Sequence, residues 1–150
     1  MIAAKPALWF LANRAVVQVD GDETGGAWSA VELTGAHGDM PPLHKHDAEE
    51  AFYVLDGELT LLTPGTELRL RTGECAVTPR GVSHVYRVES EQARWLALCS
   101  PSGFERFVAE LSAPAESDGL PPHPTVDPEL VAAVAAKHGI EILGPPGALP

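Results

Sequence analysis

The chain has 150 residues, 45% of them hydrophobic and 21% charged, and its 21 acidic against 10 basic side chains give a formal net charge of -11. That composition fits one compact domain with a buried core, and a field of that sign repels nucleic acid phosphates and anionic membrane surfaces, which leaves a small molecule as the expected partner. The opening Met1-Ile2-Ala3-Ala4-Lys5-Pro6 matches neither a secretory leader nor a membrane span, and Cys75 and Cys99 make neither a disulfide framework nor a CxxC motif, so a reducing cytoplasm is the expected compartment.

From Leu8 to Cys99, short apolar runs of strand length alternate with turn signals, the pattern of an all-β sandwich or barrel. Phe52-Tyr53-Val54-Leu55 and Leu59-Thr60-Leu61-Leu62 flank Asp56-Gly57, which predicts a tight hairpin turn. Thr63-Pro64-Gly65-Thr66 suits a type II turn. It leads into Glu67-Leu68-Arg69-Leu70-Arg71, whose strict alternation predicts a half-buried strand. Three consecutive antiparallel strands are therefore expected across this stretch. Cys75 shares a strand with Val77 and reads as a buried small hydrophobe.

The pattern changes after Pro101. Phe104, Phe107, Val108 and Leu111 fall at helical spacing between Gly103 and Leu111. Ser112 to Val126, with four prolines, reads as a stiff surface connector. Asp127-Pro128-Glu129 supplies an N-cap, a proline at the first helical position and an acid in the first turn, which predicts a helix to His138 before Gly139. Gly144 to Pro150 reads as an extended or frayed tail. The expected organisation is a barrel with one packed helix over residues 1–111, and a proline-rich connector and helical extension over 112–150, all in one domain.

The chemistry concentrates in two segments. His44 and His46 are two residues apart, which on a strand puts both imidazoles on one face, and Glu50 keeps the even spacing and adds a carboxylate oxygen. Lys45 and Glu49 fall on the opposite face. A histidine pair of this kind also occurs in plain packing, but a third histidine, His84, follows a strand and a Pro-x-Gly turn. His37, His123 and His138 lie in a loop, the connector and a helix end, and read as structural.

These residues resemble a known family. Gly38, His44, His46, Glu50 and Gly57 reproduce the spacing of the first cupin motif. Gly73, Pro79, Gly81 and His84 reproduce the second, whose closing asparagine is replaced by Val88. The resemblance implies a cupin jelly-roll β-barrel, all-β with short C-terminal α-helices, holding one divalent transition metal ion (iron, nickel, manganese, cobalt, copper or zinc) on His44, His46, Glu50 and His84. If His84 faces inward, Tyr86 and Val88 share its face. These two, with Phe52 and Met40, are the expected substrate-binding residues. Cupins also commonly pair through N-terminal strands, and Leu8-Trp9-Phe10-Leu11 with Ala15-Val16-Val17 is apolar enough to join a neighbour's sheet, which points to a homodimer.

The Gly103-Phe104-Glu105 helix start and the Gly139-to-Pro146 string resemble the quercetin 2,3-dioxygenase-like cupins of actinobacteria. The resemblance implies a dioxygenase that opens a flavonol-like or other hydroxylated aromatic or enolizable ring with dioxygen, Glu50 acting as catalytic base. A metal-assisted isomerase or lyase on an enediol, or a non-catalytic small-molecule-binding module, stands as the alternative.

Overall fold

A computed structural model describes residues 4–150, so the first three residues of the N-terminal segment lie outside the described residues. In chain order the strands are β1 (Ala7–Phe10), β2 (Asn13–Val19), β3 (Ser29–Ala36), β4 (Pro42–His46), β5 (Glu49–Asp56), β6 (Glu58–Thr63), β7 (Thr66–Arg71), β8 (Cys75–Thr78), β9 (Val85–Val88) and β10 (Gln92–Ser100). Helix α1 (Phe104–Leu111), β11 (Ser112–Pro114), α2 (Pro128–Lys137) and β12 (Ile140–Pro146) follow.

One wall is a seven-stranded sheet in the order β11-β1-β2-β3-β10-β5-β8. Facing it are the pairs β12-β4 and the three strands β7-β6-β9. The seam between these two groups is a broken ladder: His84 N donates to His44 O at 2.9 Å, Gly38 N to Val88 O at 2.9 Å, and Val88 N to Asp39 O at 3.1 Å. Pro41 and Pro42 lie inside the break, where they have no amide hydrogen to give. This is the jelly-roll barrel. Val31, Val54, Leu59, Val88 and Trp95 are fully buried between its walls. Among the described residues no helix is long and apolar enough to cross a membrane.

The Pro64-Gly65 turn is present as expected, with Thr63 opposite Thr66 and Gly65 at φ 72°. Asp56-Gly57 differs from expectation. β5 pairs with β10 and β8, and β6 pairs with β7 and β9, so these residues form a corner where the chain crosses from one wall to the other. Gly57 has φ 86°, and a Cβ there would lie 2.5 Å from the Gln92 carbonyl oxygen. Gly57→Ala is therefore expected to destabilise the fold by more than about 1 kcal/mol, read as a lowered midpoint in thermal or urea unfolding.

Three further expectations change. Leu70 is buried, but Leu68 on the same strand face is 45% exposed, so the alternation of β7 is satisfied at one position only. Cys75 is exposed, because β8 is the edge of its sheet and pairs Cys75 with Tyr53 and Val77 with Ala51 on the outer surface. The N-terminal strands are satisfied within the chain: β1 pairs with β2 on one side and with β11, cut from the supposed connector, on the other. β11 is therefore the outer strand on that side of the sheet.

Both helices form as their sequence signals require. Asp127 caps α2 by accepting from the Glu129 and Leu130 amides, and α1 buries Phe107 and Val108. Glu105, 1% exposed, accepts from the Gly21 and Gly103 amides at 3.1 and 2.7 Å and so ties the start of α1 to the turn after β2. Of the two expectations for the tail from Gly144, the extended one holds through Pro146, in a strand that begins earlier, at Ile140. This strand, β12, is antiparallel to β4, with Ile140 opposite His46 and Ile142 opposite His44.

Candidate metal centre

The three histidines and Glu50 come from three places in the fold. β4 carries His44 and His46 on one face, with Lys45 turned outward to pair with Glu141 of β12 at 3.4 Å. β5 turns Glu50, Phe52 and Val54 inward, while Glu49 faces solvent against Arg80. His84 stands just before β9, held by its backbone bridge to His44. One potential ligand atom from each of the four residues lies within 4.8 Å of all the others.

The imidazoles are pinned from behind in the same way. His44 Nδ1 bonds the Pro42 carbonyl at 2.7 Å, His46 Nδ1 that of Ala48 at 3.0 Å, and His84 Nδ1 that of Val82 at 3.0 Å. A carbonyl only accepts, so each Nδ1 carries the hydrogen and each Nε2 is left for the centre. Glu50 Oε2 lies 3.1 Å from His46 Nε2 and 3.0 Å from His84 Nε2. Atoms this close together could share one ion at bond lengths of about 2.0–2.2 Å. The donor set of three imidazoles and one carboxylate therefore fits a divalent transition metal.

Electrostatics favour the same reading. Burial alone would raise the Glu50 carboxyl, but hydrogen bonds and charge from His46 and His84 hold it well below the usual carboxylate range. Burial, then the charge of His84, pushes His44 down to about 4. Burial also opposes charge on His84, but the hydrogen bond and charge of Glu50 outweigh it and raise His84 above its ordinary value. A metal must compete with the His84 proton but not, at neutral pH, with one on His44. In protein stripped with a chelator, metal affinity should therefore rise with pH through the neutral range and level off above the raised His84 value, with proton release on loading falling in parallel. Proton release that does not fall as pH rises past the ordinary histidine range would contradict this assignment.

The centre opens on a cavity whose wall is largely apolar. Phe52, Tyr86 and Met40 line it, as do Phe10, Leu33 and Pro41. Val88 does not. It is fully buried, paired with Leu59 on one side and with the Gly38–Asp39 backbone on the other, and belongs to the core. Phe104 and Phe107 of α1, Val131 of α2, and Ile140 and Ile142 of β12 close the rest of the cavity. None of these was assigned to the site from sequence, although the Ile140-x-Ile142 alternation is a short strand signal. Asn13 and Asp39 also face the cavity and were missed. His37 bonds the Glu89 carbonyl, His138 pairs with Glu110, and exposed His123 stays in the connector, all away from the centre.

A barrel with a three-histidine, one-carboxylate cluster at its cavity defines a small β-protein with a candidate metal site. Residues 31–99 match the family model Cupin_2, described as a cupin domain. Quercetin 2,3-dioxygenase of Bacillus subtilis (strain 168) is 33% identical over 132 residues, which are 86% of this chain and 39% of that protein. The chain thus spans about two fifths of the length of that relative. KdgF from Halomonas sp. superposes with a TM-score of 0.57 at 19% identity, covering 63% of this chain and 85% of that one. The polyketide cyclase RemF from Streptomyces resistomycificus superposes with a TM-score of 0.54 at 20% identity, covering 82% and 80%. These two likenesses show the fold.

Proposed function

We propose that this protein is a metal-dependent dioxygenase that opens a small flavonol-like or otherwise hydroxylated, enolizable ring, with Glu50 as its general base. The observation that carries the reading is the Glu50 carboxyl set among three histidines on the wall of an apolar cavity. Similarity to the Bacillus subtilis quercetin 2,3-dioxygenase supports the substrate class. His44, His46, His84 and Glu50 would hold one divalent transition metal ion, which when bound supplies Lewis acidity toward a substrate hydroxyl.

The remaining work falls to the side chains. Glu50 engages both histidines through Oε2, and its Oε1 has no hydrogen-bond partner among the described residues, so Oε1 is the atom that takes the hydroxyl proton. Loss of that proton leaves an electron-rich conjugated anion, the form of the ring that dioxygen attacks at carbon. Phe52, Tyr86 and Met40 pack against the ring, and the apolar wall excludes water that would quench the anion.

The test combines elemental analysis of the purified protein with an oxygen electrode and a panel of flavonols and catechols. About one transition metal ion per chain and oxygen uptake matching substrate loss are expected. Equal turnover without oxygen would instead assign a metal-assisted isomerase or lyase, and a metal-free, inert protein would assign a binding module.

A further inference from the structure

A second polar cluster faces the same cavity and takes no part in the metal centre. Asn13 and Tyr86, 4% and 8% exposed, both hold the Asp39 carboxylate: Asn13 Nδ2 donates to Asp39 Oδ2 at 2.8 Å and Tyr86 OH donates to it at 3.0 Å. Asn13 gives its other amide hydrogen to the Thr34 carbonyl at 3.3 Å, which fixes the amide from two sides. Both donors converge on Oδ2, and Oδ1 has no hydrogen-bond partner among the described residues. Burial pushes the Asp39 carboxyl up, and the bonds from Asn13 and Tyr86 pull it back.

Anchoring the loop before β4 explains one oxygen of Asp39 and not the other. Asp39 is half-buried and its Oδ1 keeps access to the cavity, so that oxygen is an acceptor available to a ligand hydroxyl. Tyr86 lies two residues past His84, about 7 Å along the strand, a span that a fused or linked ring system covers.

We propose that Asp39, oriented by Asn13 and Tyr86, accepts a hydrogen bond from a second substrate hydroxyl remote from the metal end, and so selects polyhydroxylated ring systems over singly hydroxylated ones. This rests on the function proposed above. A site built to bond a hydroxyl rejects the analogue without it, because the acceptor is then left desolvated and unpaired.

The test uses the metal-loaded full chain with two probes, quercetin and 3-hydroxyflavone, which keeps only the ring-C hydroxyl. Affinities are read by anaerobic spectral titration, and KM and kcat in air. Wild type should bind quercetin about tenfold to a hundredfold more tightly. In Asp39→Ala that ratio should fall to within about threefold, carried by KM rather than kcat, and in the same-sized Asp39→Asn it should fall in the same direction. A wild type that binds both equally, a variant that keeps the ratio, or variants that weaken both probes by one factor would overturn the inference and leave the dioxygenase reading standing. Binding of neither flavonol would overturn this inference, and the dioxygenase reading would fall with it only if the catechols also gave no oxygen uptake.

Discussion

Glu50→Gln is expected to retain most of its metal and to lose turnover by about a hundredfold or more, the usual scale for removing a general base. Three imidazoles remain, each still pinned through Nδ1 to its own backbone carbonyl, so the replacement leaves the metal-facing nitrogens in place. The amide is nearly the same size as the carboxylate, so the 5%-exposed pocket around it stays filled. What changes is the accepting oxygen: a neutral amide cannot take the hydroxyl proton. Metal analysis and oxygen uptake on the same sample separate the two effects. Full uptake by the variant would place the base elsewhere.

Truncation after Gly139 is expected to cost about 3–5 kcal/mol of stability and to lower metal occupancy sharply, although every ligand residue is still present. Ile140 is 6% exposed, Ile142 packs against the core, and burial of such side chains contributes about 1.5–3 kcal/mol each. Without β12, the strand bearing His44 and His46 is joined to the barrel only through the broken seam at His84 and its neighbours. A denaturation curve and metal content per chain give the two readings. Full metal occupancy with an unchanged midpoint would show that β12 is dispensable.

The ligand set is the most legible part of the molecule in sequence, because two-residue periodicity on a strand is local information. His44, His46 and Glu50 declare a shared face by spacing, and the Pro-x-Gly turn before His84 marks where the next inward strand begins. The helix starts were legible for the same reason, since Asp127 and Pro128 act within one turn. What escaped was set by distant partners. Asp56-Gly57 carries a hairpin signature, yet whether β5 and β6 pair depends on β8, β9 and β10, which outcompete the local choice. Cys75 has a neutral local pattern, and its exposure follows from β8 being last in its sheet. The tail's two isoleucines acquire meaning only beside β4. Asp39 had no motif to announce it, because its role is visible only once Asn13 and Tyr86 converge on it.

The pairing of β4 with β12 also orders events on the ribosome. All four ligands have been polymerised by His84, whereas β12 begins at Ile140. In the interval, the nascent strand bearing His44 and His46 has a bare backbone edge, the kind of surface that chaperones and stray strands bind. The ligands are thus made first, then the helices, and only after them the strand that pairs with β4.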